Sequence, residues 1–292
     1  MSRVWRTWMV LVLFALGTSM ITPLIPIYQH RLGFGDTVVT LFLGCYVAAL
    51  VPSMLVLGQL SDRVGRRRVL LAAIGTLAAA QVLLITEPPL AGLLVARGIQ
   101  GAATGAFFGT CTAFLVDAAP PERRGFAATL GSISVRLGLG SGPGIAGVLA
   151  EYAISPLRTP FILHLGALAV AAVTVARLPE TVTGGGSMRR MSLRLGVPAA
   201  ERSVFWMVLV PSGMLFSLFD AVALSLVPVF VVRTLGVHNY AVVGASGFLV
   251  LVSGAVSQVA LPHLEPRRAI NAGLAVAAIA SLGIAAGAPT RS

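Results

Sequence analysis

Of the 292 residues, 57% are hydrophobic and only 11% are charged, and the mean hydropathy is +0.91. Soluble domains carry about a quarter of their residues as charges, so this composition excludes a water-soluble globule and places the chain in a bilayer. The net charge of +11 comes from 21 arginines against 10 acidic residues, and nearly all the arginines lie in short connections between apolar runs, a membrane-topology pattern and not a nucleic-acid-binding face.

Nine apolar runs of about 20 residues are predicted as membrane-spanning helices, at 8–28, 37–57, 69–86, 90–115, 126–150, 160–178, 204–232, 239–261 and 269–288. Arg3 and Arg6 precede the first, which runs past Pro23 and Pro26 to Tyr28 and so reads as an uncleaved span, not a leader peptide. Spans 2 and 3 are joined by a dense cationic turn, Gly58-Gln-Leu-Ser-Asp62-Arg63-Val-Gly65-Arg66-Arg67-Arg68. Span 4 carries Arg97 and Gln100 and ends near Asp117, before Pro121-Glu-Arg-Arg124. Span 5 holds Arg136 and the run Gly138-Leu-Gly-Ser-Gly142-Pro143-Gly-Ile-Ala-Gly147. Span 6 contains His164 and leads to Leu178-Pro-Glu-Thr181.

The longest polar connection, 179–202, contains Gly184-Gly-Gly186 and divides a six-helix unit at 1–178 from three helices at 203–292. A shift of 200 residues lays Arg267 and Arg268 over Arg67 and Arg68, which points to an internal repeat. With the N-terminus cytoplasmic, fifteen arginines fall inside and four outside, namely Arg31, Arg158, Arg233 and Arg291. That bias predicts an N-in, multi-pass protein of the cytoplasmic membrane.

Several residue types point to chemistry. Arg97 lies within a span, where a charge costs about 2.5–3.5 kcal/mol on insertion scales, so it is expected to face protein or water. Arg97, Gln100, Thr104 and Cys111 share one helix face, and Gly101, Gly105 and Gly109 an adjacent face suited to close packing. Asp220 is the carboxylate nearest the middle of an apolar helix and is expected to load and release a proton; a static pair with Arg97 or Arg136 is the alternative. Arg136 is expected to attract an anionic group, and His164 reads as a hydrogen-bonded core histidine. Cys45 and Cys111 read as buried thiols. Leu139 occupies the first glycine position of a nucleophile-elbow pattern, and no zinc, haem or P-loop spacing occurs, so no enzyme, metal or cofactor is expected.

The Gly58–Arg68 turn resembles the loop 2–3 signature of the major facilitator superfamily almost position by position. Arg97-Gly-Ile-Gln100-Gly101 is similar to that family's R-x-x-Q-G motif, and Gly138, Gly142, Pro143 and Gly147 resemble its helix 5 antiporter motif, with Ala146 replacing one glycine. The resemblance implies an all-α polytopic helical bundle, monomeric when full length. Asp62, Arg63, Arg66 and Arg67, with Asp117 and Arg124, would form a gating latch in which Asp62 accepts at a helix N-terminus and Arg66 pairs with Asp117. Arg97, Gln100, Arg136 and Asp220 would serve substrate or proton coupling. It implies proton-coupled efflux of small organic molecules by alternating access, most like the drug/proton antiporter branch. Twelve helices in two bundles are usual in the family, so nine imply a C-terminal truncation. A non-transporting remnant, a half-transporter needing a partner chain, or an uptake symporter for a sugar or metabolite are the alternatives.

Overall fold

The computed structural model describes residues 3–182, 202–211, 236, 239–260, 265, 268, 271–276 and 278–279. Those residues form an all-helical bundle: α1 (Arg3–Ser19), α2 (Ile25–Leu32), α3 (Asp36–Val64), α4 (Arg66–Ile85), α5 (Leu90–Asp117), α6 (Arg124–Tyr152) and α7 (Thr159–Ala176). A single turn, α8 (Arg202–Val204), runs into a π turn over Phe205–Leu209, and α9 covers Tyr240–Ala260. Among the described residues, 7 helices are long and apolar enough to cross a membrane, α1 and α2 forming one of them over Arg3–Leu32. The expected spans at 204–232 and 269–288 lie largely outside the described residues, as do Asp220, Arg267 and most of the 179–202 connection.

Backbone chemistry sets the breaks. The first span, expected to be one helix, is interrupted: α1 stops at Ser19 and a 3₁₀ turn, Thr22–Leu24, precedes α2. Pro23 has no N–H to give the carbonyl four residues earlier, so the ladder cannot continue through it. Gly33, at φ +69°, closes α2 by returning its N–H to the Gln29 carbonyl at 2.9 Å. Gly65, at φ +105°, separates α3 from α4 in a conformation that L side chains rarely adopt. Pro120 and Pro121 separate α5 from α6 through the 3₁₀ turn Pro121–Arg123.

Helix α5 sits at the centre, against α1, α3, α4 and α6. Leu11, Phe14, Leu70, Leu77, Phe107 and Phe114 make one fully buried cluster, with the Phe14 and Phe107 rings stacked at 3.6 Å and 2°. Met20, Tyr28, Phe42, Leu84, Leu93 and Phe161 make a second towards the opposite ends of the helices. Gly101 and Gly105 let the α3 backbone come directly onto α5; a Cβ on Gly105 would lie 2.8 Å from Met54 N. Gly109, expected on the same close-packing face, is exposed and meets nothing within 4 Å. The outer side of α3 is apolar and bare, with Leu43, Val47, Val51 and Met54 each about half exposed.

Candidate functional site

Three groups of side chains gather where helices of the bundle meet. The first is a polar knot at the face where α3 meets α4. Arg66 Nη1 lies 2.6 Å from Asp117 Oδ2 at the end of α5, and Arg66 Nη2 lies 3.2 Å from Asp62 Oδ1 at the end of α3. The Arg66 side chain is only 13% exposed, Asp117 37% and Asp62 61%, so the Asp117 arm is the better shielded. One guanidinium thus ties the ends of three helices.

The carboxylate at the α4 N-terminus is Glu180, not Asp62. Glu180 Oε1 accepts from the Arg66 backbone N–H at 3.0 Å and Oε2 from that of Arg67 at 3.1 Å. A carboxylate there meets both unsatisfied amides and the positive end of the helix dipole. Asp62 is spent on Arg66, one turn away on the same side. Glu180 also explains Gly65: a Cβ there would stand 2.6 Å from Glu180 Oε2. The Leu178-Pro-Glu-Thr181 phrase was the one signal for Glu180 in the sequence, and it carried no spacing to α4. Gly58 is half-buried in the last turns of α3 with nothing within 4 Å of its Cβ position, Arg63 is half-buried near the end of α3, and Arg124 is exposed at the start of α6 with no partner among the described residues.

The second group surrounds Arg97, 8% exposed inside α5. Its Nη1 donates to Gln100 Oε1 at 2.9 Å and to the Thr18 carbonyl at 3.1 Å, and its Nε to the Phe42 carbonyl at 3.4 Å. The guanidinium carbon also stands 4.6 Å from the Tyr46 ring centroid. Arg97 therefore braces α1, α3 and α5, at the place where α1 gives way to the Pro23 turn. Gln100 is fully buried and its Nε2 has no partner among the described residues. Thr104 returns its hydroxyl to the Gln100 carbonyl at 2.6 Å, and Cys111 is buried lower on the same face. His164 is buried, with Nε2 3.0 Å from the Leu13 carbonyl and its ring lying over Gly17.

The third group is α6 itself, held between α1 and α9. Gly138 faces Ala15, and a Cβ there would lie 2.9 Å from the Val12 carbonyl. Gly142 faces the Leu16 carbonyl and Ser19, whose hydroxyl donates to the Leu139 carbonyl at 2.6 Å. On the other flank a Cβ on Gly147 would stand 2.9 Å from the Gly244 Cα of α9. Pro143 sits inside the helix and leaves its own N–H position empty. Arg136 lies across Gly254 of α9: a Cβ added there would come within 2.6 Å of Arg136 Nη1.

A cluster outside these three escaped sequence reading. Glu87, between α4 and α5, takes Arg31 on Oε2 and Arg158 Nε on Oε1 at 2.5 Å. The Arg31 hydrogen bond above all, then Arg158, holds its carboxyl below the usual carboxylate range, against an opposing effect of burial. Arg31 lies in the last turn of α2 and Glu87 and Arg158 in two separate connections, so no local pattern marks it. No group of three or more potential metal-ligating side chains occurs among the described residues.

A family model described as Major Facilitator Superfamily matches residues 7–292. The quinolone resistance protein NorA of Staphylococcus aureus is 25% identical over 181 residues, covering 60% of this chain and 45% of that protein. The citrate-proton symporter of Klebsiella pneumoniae is 28% identical over 191 residues, covering 60% and 42%. Among solved structures, the human organic anion transporter MFSD10 superposes with a TM-score of 0.61 at 18% identity, over 88% of this chain and 71% of that one. The chain spans less than half the length of the curated relatives it matches.

Proposed function

The chain belongs to the major facilitator superfamily, and from that premise we propose that it works as a proton-coupled exporter of small organic molecules by alternating access. The observation that supports export is the α6 surface: Gly138 and Gly142 seat α1, and Gly147 seats α9, in the positions the helix 5 antiporter pattern prescribes. A helix fitted this tightly on both flanks closes the path along itself while remaining able to pivot at Pro143. NorA, whose name records quinolone resistance, lies in the same direction.

In this reading the knot of Arg66, Asp62, Asp117 and Glu180 holds one end of the first bundle shut and lies on the cytoplasmic side. Arg97 and Gln100, buried between α1, α3 and α5, hold the wall of the path together behind its surface, with Arg136 nearer to it. Asp220, outside the described residues, carries the proton. Rocking of one bundle of the full-length protein against another would expose the path alternately to each side.

A second reading is uptake driven by the same gradient, favoured by the citrate-proton symporter match. Ethidium movement in vesicles of the full-length protein separates them. Export predicts that an imposed proton gradient drives ethidium against the proton flow, and that Asp220→Asn abolishes that coupling. Movement of ethidium with the protons would favour uptake, and full gradient-driven activity of Asp220→Asn would remove Asp220 from the mechanism.

A further inference from the structure

Two apolar clusters fill the inside of the bundle, and the layer between them is polar. The first cluster takes Phe14 from α1, Leu77 from α4, Ala103 from α5 and Leu168 from α7. The second takes Met20, just past α1, with Leu84 of α4, Ala96 of α5 and Phe161 of α7. Between those two levels each helix brings a polar side chain: Thr18, Gln81, Arg97 with Gln100, and His164. None of the five is more than 8% exposed.

Contacts hold these residues at one depth. Arg97 reaches the Thr18 carbonyl at 3.1 Å, and the His164 ring covers Gly17, the residue before it. The Arg158–Glu87 pair aligns α7 with α4. His164 lies six residues beyond Arg158 and Gln81 six before Glu87, so both stand about 9 Å in from that pair at 1.5 Å per residue.

Three of the side chains keep hydrogen-bonding capacity that no described protein atom takes up. Gln81 Oε1 and Nε2, Gln100 Nε2 and His164 Nδ1 are buried and have no partner among the described residues. Arg97 takes Gln100 Oε1, which orients that amide and leaves its Nε2 to donate. His164 Nε2 gives its hydrogen to the Leu13 carbonyl, so Nδ1 of the neutral ring is an acceptor. The open set is therefore two donors and two acceptors. A cation would meet the Arg97 guanidinium. An anion would use the donors and strand Gln81 Oε1 and His164 Nδ1, and stranded buried polar atoms are costly. Water has two hydrogens and two lone pairs, and it serves all four.

We propose that bound water occupies this layer and bridges Gln81 of α4, Gln100 of α5 and His164 of α7. The site is internal to the first bundle, behind the path assigned to substrate, and it stands whichever way substrate moves. Water joins the helices here, at a level where neither apolar cluster does.

X-ray radiolytic labelling of the full-length protein in detergent micelles tests this, because radicals formed from bound water oxidise the side chains that it touches. Rates are normalised to those of the unfolded protein. His164 should be oxidised well above Phe107 and Phe161, which are as deeply buried, one in each apolar cluster. Gln81→Met keeps the volume and removes two of the four bonding atoms. It should bring His164 oxidation down to the level of the two phenylalanines, and Gln100→Met, on another helix, should do the same. Gln81→Met should also lower the melting temperature, because its bridge to Gln100 and His164 is lost; a dry amide would give a rise on removal. His164 oxidation no greater than that of the two phenylalanines in wild type would overturn the proposal, as would a raised melting temperature in Gln81→Met. Replacing chloride by gluconate should leave wild type unchanged. A melting temperature that depends on chloride in wild type but not in Gln81→Met would put an anion in the layer and overturn the assignment to water.

Discussion

Glu180 shows how a single carboxylate is placed by its partners. It receives the first two amides of α4, so Glu180→Ala leaves both without an acceptor and should cost about 1–2 kcal/mol. Asp62→Asn, at a far more exposed ion pair, should cost less than about 1 kcal/mol. Denaturant unfolding in detergent ranks the two, and a larger loss for Asp62→Asn would reverse the roles assigned to them. Glu87 adds a pH signature. Its folded carboxyl titrates below the ordinary value because Arg31 and Arg158 hold it charged. Its contribution to stability is therefore complete above the unfolded carboxyl range, about pH 4.3, and is lost as pH falls through the lowered folded value. Wild type should be more stable than Glu87→Gln at neutral pH, and the gap in melting temperature should close on acidification. The Arg66–Asp117 pair was expected through the family resemblance of the Gly58–Arg68 turn and of the segment from Asp117 to Arg124, and the structure joins the two side chains. Glu87 and Glu180 were not legible in the sequence, since their partners are 56 to 114 residues away and nothing local fixes that distance.

Among the helices, α6 makes the sharpest case. Gly142→Leu forces a side chain into the Leu16 backbone and Ser19 hydroxyl; overpacking of this kind costs typically 1–3 kcal/mol, and separation of α1 from α6 should follow. Gly75→Ala in α4, where nothing lies within 4 Å of the added carbon, should be neutral or stabilising by up to about 1 kcal/mol, the helix-propensity difference. Thermal unfolding of both variants checks the contrast. Apolar length was enough to place α3 to α7 and α9, because a span of about 20 residues leaves little room for error. It did not place the break in the first span at Ser19, since apolar residues continue through it and only Pro23 marks the site. Nor did glycine spacing say which glycines touch: Gly101 and Gly105 receive α3, while Gly109 on the same periodic face is open.

At the scale of the whole fold, the described residues present α5 as a hub, α6 as a wall seated between α1 and α9, and α3 as a helix with a bare apolar flank. Arg97 joins α1, α3 and α5 through two carbonyls and one amide, so Arg97→Leu removes the brace and strands Gln100, an outcome expected to exceed 2 kcal/mol. Family membership was legible from the Gly58–Arg68 turn alone, because that spacing of glycines, one aspartate and arginines is specific. In the proposed function the direction of transport rests on the α6 pattern of Gly138, Gly142, Pro143 and Gly147 and not on that turn. Gradient-driven ethidium movement by the full-length protein in sealed vesicles tests the central claim most directly. Proton-coupled export predicts accumulation against the proton flow that a protonophore collapses, whereas accumulation equal to that of protein-free vesicles would contradict it.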